Sequence, residues 1–142
     1  GKILTGYKMN HYVVMFFAMV FSGALSTMNV WADSVDDMRF SLNDVYMISL
    51  MTGWMFFFMG VVNAEVPVAA AGLAIALASL AAIRTQFLIT EREFLRGMIP
   101  HHSMAVFMGK RLLNRPNNIQ TFVRNIVDTQ TEEIQTMKRA TV

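Results

Sequence analysis

The chain has 142 residues, 54% of them hydrophobic and only 15% charged, with a net charge of +2. One domain of that apolarity points to a membrane, and a charge spread without a basic block excludes a nucleic-acid binder. The lack of cysteine excludes disulfides and thiolate metal sites, whereas 13 methionines supply soft thioether sulfur that also packs adaptably.

In chain order, HYVVMFFAMVFSGALSTMNVWA at residues 11–32 carries no charge over a length that, as a helix, crosses the ~30 Å hydrocarbon layer of a membrane. It predicts a first span. VWA before Asp33, with Lys2 and Lys8 upstream, also fits a signal-peptidase site, so cleavage is the rival to an uncleaved helix. Residues 45–62 predict a second span and residues 66–83 a third, and the NAE link between them permits only a tight antiparallel hairpin. Ala70, Ala74, Ala78 and Ala82 line the third span at four-residue spacing, which predicts a helix-packing face. Met47, Met51, Met55 and Met59 form a similar sulfur stripe along the second span. Methionine packs well against lipid or helices, so packing is the plain reading and a Cu(I) path the sharper one.

From Arg84 the sequence alternates charged and apolar residues in two amphipathic helical patterns. Thr90 with Glu93 predicts a capping box, and Ile89 with Phe94 its hydrophobic staple, so a helix starts near Glu91. NRPNN at residues 114–118 is a turn, after which a second helix runs to about Arg139. The expectation is an all-α chain: three transmembrane helices in residues 1–83, then an extramembrane antiparallel helical hairpin in residues 84–142.

At 100° per residue, Met98, His101, His102, Ala105, Met108 and Leu112 share one face of the first hairpin helix, with Arg96, Ser103 and Lys110 opposite. The apolar face of the second, formed by Ile119, Phe122, Ile126 and Met137, also contains Gln130 and Glu133, while Glu132 points away. A carboxylate facing a helix seam is costly unless paired or metal-bound, so Glu133 needs a partner. With the turn centred near Pro116, antiparallel pairing sets His101 and His102 against the Gln130–Glu133 turn and Met98 near Met137. Pro100 cannot donate to the Arg96 carbonyl and predicts a kink or helix start just before the histidines. The convergence predicts a metal site of His101, His102, Met98, Met137, Glu133 and Gln130. A metal-free His–Glu lock is the alternative. Met104 and Met108 read first as packing residues and only secondarily, with Glu91, as further metal ligands. Imidazole and thioether without thiolate suit copper, Cu(I) above all, and a nearby carboxylate also accommodates Cu(II). A diiron site is disfavoured because the chain has no Glu-x-x-His pair.

Arg84-Thr-Gln86, Glu91, Phe94, MIPHHSMA at residues 98–105, Met108 and IVDTQTEEIQTM at residues 126–137 resemble the domain of unknown function 305 family. His11-Tyr12 and the YMxxxM of Tyr46 to Met51 extend the likeness to its membrane-anchored branch. The resemblance implies a ferritin-like helical domain, here a hairpin half, associated with copper handling outside the cytoplasm through His and Met ligands. Lys2 and Lys8 before the first span and the acidic loop ADSVDDMRFSLND favour an internal N-terminus and an external hairpin, whereas Arg84, Arg92 and Arg96 after the third span argue the reverse by the positive-inside rule. The resemblance implies the external side, here the periplasmic side of a bacterial inner membrane. This chain departs from the family pattern in Glu91 for the usual Asp and in Gly97 for a larger residue.

Three classes of function follow. The first is a membrane-anchored copper-binding protein that buffers or delivers the ion, with lipid as its surroundings. The second is a Cu(I) transporter using the methionine stripe, by analogy with three-span Ctr-type transporters. The third is an accessory subunit of a larger membrane complex or a homo-oligomer. No nucleophile-base pair or phosphate loop is present, so no enzyme is expected.

Overall fold

The computed structural model describes residues 2–141, and among them the chain is all-α: five helices, two short 3-10 turns and no strand. The helices are α1 (Lys2–Ala24), α2 (Leu42–Val62), α3 (Val66–Thr85), α4 (Glu91–Leu113) and α5 (Gln120–Ala140). Three candidate spans, contained in or beginning with α1, α2 and α3, are long and apolar enough to cross a membrane. The first α-helix ends eight residues before the expected Ala32. Gly23, Ser26 and Thr27 are poor helix formers, and Asn29 turns its side chain to the backbone N–H of Arg39, 2.9 Å away, instead of continuing the helix.

The chain forms two compact units that do not follow the expected division at residue 83. The first comprises α1 through Leu25 together with Asp44–Phe87; the second comprises Ser26–Asn43 together with Leu88–Val142. The loop between α1 and α2 thus belongs with the hairpin.

In the first unit, α2 and α3 pair antiparallel with their backbones almost touching. A Cβ added at Gly53 would lie 2.5 Å from the Ala76 nitrogen, at Gly60 2.2 Å from the Ala69 nitrogen, and at Gly72 2.2 Å from the Phe57 nitrogen. Only glycine permits such an approach, which maximises dispersion contacts between helices. This seam replaces the alanine stripe expected on α3. Its buried residues are Gly72, Ala76 and Ser79, while Ala70, Ala74 and Ala78 are exposed, because the glycines of α2 select the face of α3 they meet. Helix α1 joins through Gly23 against Ile48 and through the Tyr12 and Phe56 rings, 6.0 Å apart. Met47 and Met51 are exposed and Met55 and Met59 half-buried, so the methionine stripe lies off the buried face of α2.

In the second unit, α4 and α5 pack around Ile99, Val106, Ile134 and Met137, with Leu95, Met98 and Val127 at the margin. Thr90 caps α4, accepting a hydrogen bond from the Glu93 N–H at 3.3 Å. The capping box is only half formed, since the Glu93 carboxylate accepts from the Leu42 N–H at 2.7 Å. Helix α4 runs unbroken through buried Pro100.

The opposite side of α4, read from sequence as a polar face, is covered by the segment 26–43. Ser103 is fully buried there: its hydroxyl accepts from the Asp33 N–H at 2.8 Å and donates to Asp37 Oδ2 at 2.6 Å. Buried Asp37 also meets Lys138 of α5 at 2.5 Å, and Lys110 reaches Asp33 at 2.8 Å. Arg96 donates to the Phe40 carbonyl at 2.9 Å. Arg96, Ser103 and Lys110 therefore form the docking line of a strap whose acidic and amide groups satisfy them.

Candidate metal centre

The site is built from the side of α4 that meets α5. Gly109 sets the approach near the turn, where an added Cβ would lie 2.6 Å from Val127 Cγ2 and 3.4 Å from Val123 Cγ1. One to two turns earlier on α4, His102 Nδ1 stands 2.9 Å from Glu133 Oε2. The sequence positions 102 and 133 are thus level across the seam.

That contact is short but falls outside good hydrogen-bond alignment at Nδ1, a buried nitrogen that has no other partner. A carboxylate locked to an imidazole would lie along its N–H. An imidazole nitrogen and a carboxylate oxygen this close are placed to share a third atom once Nδ1 carries no proton. Burial holds the His102 imidazole below its ordinary pKa of 6.5; the Glu133 carboxylate opposes this by its charge and as a hydrogen-bond acceptor, and neighbouring His101 adds to the lowering. The ring is accordingly kept neutral at pH 7, the form that ligates metals.

Met137 lies in the buried core and Met98 packs against the same cluster, which brings both thioethers to the seam that holds His102. His101 is exposed, with its ring centroid 6.2 Å from that of His102, so the two imidazoles do not share the apolar face as expected. The cause is the strap: α4 is covered on two sides, which moves its most buried line to Ile99, Ser103 and Val106 and leaves His101 at the rim. Glu133 also differs from expectation. Its side chain is 47% exposed against 19% for His102, so water solvates the carboxylate and its charge does not demand a partner. Gln130 is half-buried on the neighbouring turn.

The remaining residues do not join them. Met108 is exposed and six residues beyond His102, ~9 Å of helix rise, and half-buried Met104 occupies another part of the helix surface. Glu91 is exposed in the first turn of α4. Among the described residues no three His, Asp or Glu side chains gather as a metal cluster. An ion at this seam would need sulfur to complete its ligands, and imidazole with thioether is a combination suited to a soft cation.

Sequence reasoning missed the strap contacts. Their signal was present in ADSVDDMRFSLND, whose acids and amides match polar residues at seven-residue spacing on α4: Arg96, Ser103 and Lys110. Gly97 belongs to the same line, since an added Cβ would lie 3.3 Å from Ser41 Oγ, tight enough to push the strap outward.

Fold and site together define an all-α chain with three span-length apolar helices and an imidazole–thioether seam between its last two helices. It belongs to the domain of unknown function family DUF305, whose model matches residues 63–141. An uncharacterized protein of Acanthamoeba polyphaga mimivirus, L153, is 38% identical over 135 residues, covering 88% of this chain and 87% of the viral protein. No solved structure matches the chain.

Proposed function

We propose that this protein is a membrane-anchored copper-binding protein that buffers or delivers the ion outside the cytoplasm, with α1, α2 and α3 as the anchor and the α4–α5 seam as the site. The observation that carries the reading is the buried Nδ1 of His102, poorly aligned on a carboxylate oxygen 2.9 Å away, with two thioethers in the same seam. A buried nitrogen with a poorly aligned partner costs stability, and a ligand at that nitrogen would recover it. His102, Met98 and Met137 would hold the ion, with Glu133 at the solvent edge and His101 at the rim. Bound there, copper supplies a soft Lewis-acid centre; the residues keep the imidazole neutral and enclose the sulfurs in an apolar wall.

The transporter reading is weaker because the methionine stripe lies away from the glycine-lined seam of α2 and α3. The test is Cu(I) titration of the purified chain against a competing chelator. Wild type should take up about one equivalent and the His101→Ala/His102→Ala variant should bind at least tenfold more weakly. Equal binding by both would remove the copper reading, and release of the chain by alkaline carbonate would remove the membrane reading.

A further inference from the structure

The first unit holds a second constellation that the copper reading does not use. Asn63 and Glu65 close the turn between α2 and α3, and the N-terminal part of α1 packs beside that turn. The Tyr12 hydroxyl donates to Glu65 Oε2 at 2.6 Å, and Lys8 Nζ lies 3.3 Å from Glu65 Oε1. Tyr7, Lys8, His11, Tyr12, Asn63 and Glu65 line a cavity of about 320 Å³. The Tyr12 hydroxyl and then Lys8 hold the Glu65 carboxyl below its usual range, so it is ionised at neutral pH. With its side chain engaged there, Glu65 makes no side-chain cap on α3.

This polar cavity adjoins an apolar groove of about 700 Å³, because Lys8, Tyr12 and Glu65 line both. Met9, Val13, Phe16 and Phe17 of α1 continue the groove opposite Val68. Positions 9, 13, 16 and 17 recur with helical spacing, so they lead along ~12 Å of α1 away from the charged end. The constellation is a charged head compartment joined to a hydrocarbon-lined slot.

The geometry points to a binding site for one phospholipid with an ethanolamine headgroup that parts the Lys8–Glu65 pair, its phosphate on Lys8 and His11, its ammonium on Glu65, and an acyl chain in the groove. The inference rests on the membrane part of the reading above and is independent of copper. Charge complementarity selects the headgroup. The lining pairs one cation with one carboxylate, so a purely anionic head would meet Glu65 and a purely cationic one Lys8. A zwitterion answers both. The primary ammonium donates hydrogen bonds to a carboxylate and lies against tyrosine faces, whereas a trimethylated ammonium has no N–H to donate.

Native mass spectrometry of the full chain in detergent, titrated separately with phosphatidylethanolamine, phosphatidylcholine and phosphatidylglycerol of identical acyl chains, tests the proposal. Wild type should retain one phosphatidylethanolamine at least fivefold more tightly than either of the others. Glu65→Gln should erase that preference. Because Glu65 also ties α1 to the turn, a second variant works away from the charges: Val68→Trp fills the groove and should weaken retention of all three lipids at least fivefold with helix content unchanged. Equal retention of the three lipids by wild type, preference for phosphatidylglycerol, or unchanged retention by Val68→Trp would each overturn the proposal. A chain that resists alkaline carbonate yet shows no headgroup preference overturns the lipid site alone. A chain released by carbonate overturns the membrane reading and the lipid site with it.

Discussion

The molecule contains two antiparallel helix pairs built on opposite packing principles. Between α2 and α3 the backbones meet at Gly53, Gly60 and Gly72, leaving no volume for a side chain at those three points. Between α4 and α5 the seam is filled by Ile99, Val106, Ile134 and Met137, and one glycine, Gly109, narrows it near the turn. Side-chain packing leaves gaps of side-chain size, and there an imidazole and a carboxylate can stand 2.9 Å apart. A glycine seam gives rigidity and excludes chemistry; a side-chain seam admits it.

The largest effect is expected where backbones touch. Gly60→Leu places a branched side chain where even a Cβ lies 2.2 Å from the Ala69 backbone, so α2 and α3 must separate. Overpacking usually costs about 1–3 kcal/mol when side chains can yield, and backbone cannot. Size-exclusion chromatography in detergent should show aggregated or absent protein. Gly109→Ala meets the methyl Val127 Cγ2 instead, and about 1–2 kcal/mol of lost stability by thermal unfolding is expected. Equal damage from the two would show that the seams do not differ as described.

The strap provides the next contrast, because the second pair has polar chemistry on its outer side as well. Asp37 receives Ser103 and Lys138 at once. Breaking a buried charged pair typically costs about 3–5 kcal/mol, and Lys138, still 22% exposed, puts Asp37→Asn near about 3 kcal/mol in chemical denaturation. Ser103→Ala should cost about 1–2 kcal/mol, as it removes one hydroxyl bridge. If both variants unfold like wild type, the strap is not part of the second unit's stability.

The sequence exposes the two pairs unequally. The hairpin was readable nearly residue by residue: Thr90 at the cap of α4, the turn at 114–118 and the end of α5 near Arg139 all follow from local chemistry. The span-length apolar helices α2 and α3 were readable by length and apolarity. The packing face of α3 was not, since alanine recurs on several faces and the deciding glycines sit on α2. The strap was invisible for a related reason: Asp37 and Ser103 are 66 residues apart, and helical periodicity reports only which face of α4 is polar, not what satisfies it. The same omission misplaced His101, because a helix covered on two sides turns its apolar stripe.

Glu133 sharpens the comparison at the site itself. Its exposure means that Glu133→Gln should change metal-free stability by less than about 1 kcal/mol, the range of surface pairs. Copper affinity should fall roughly tenfold, equivalent to about 1.4 kcal/mol. A strongly destabilised metal-free variant with unchanged copper affinity would favour a His–Glu lock over a ligand set.

The smallest effect is a pH slope, and its sign separates the same two readings. Burial depresses the folded pKa of His102 below 6.5, with Glu133 acting in the other direction and neighbouring His101 adding to the lowering. The unfolded chain therefore binds the proton first as pH falls. The stability contributed by the neutral ring is complete above about 6.5 and is lost as pH drops through the window toward the depressed folded value. In chelator-treated protein, the melting temperature of wild type should thus decline from pH 7.5 to 5 more steeply than that of His102→Asn, which lacks the titrating ring. An imidazolium locked to Glu133 would do the reverse, since a raised folded pKa makes acidification stabilising relative to the variant. A wild-type curve that gains on His102→Asn below pH 6.5 would therefore reject the neutral, ligand-ready imidazole.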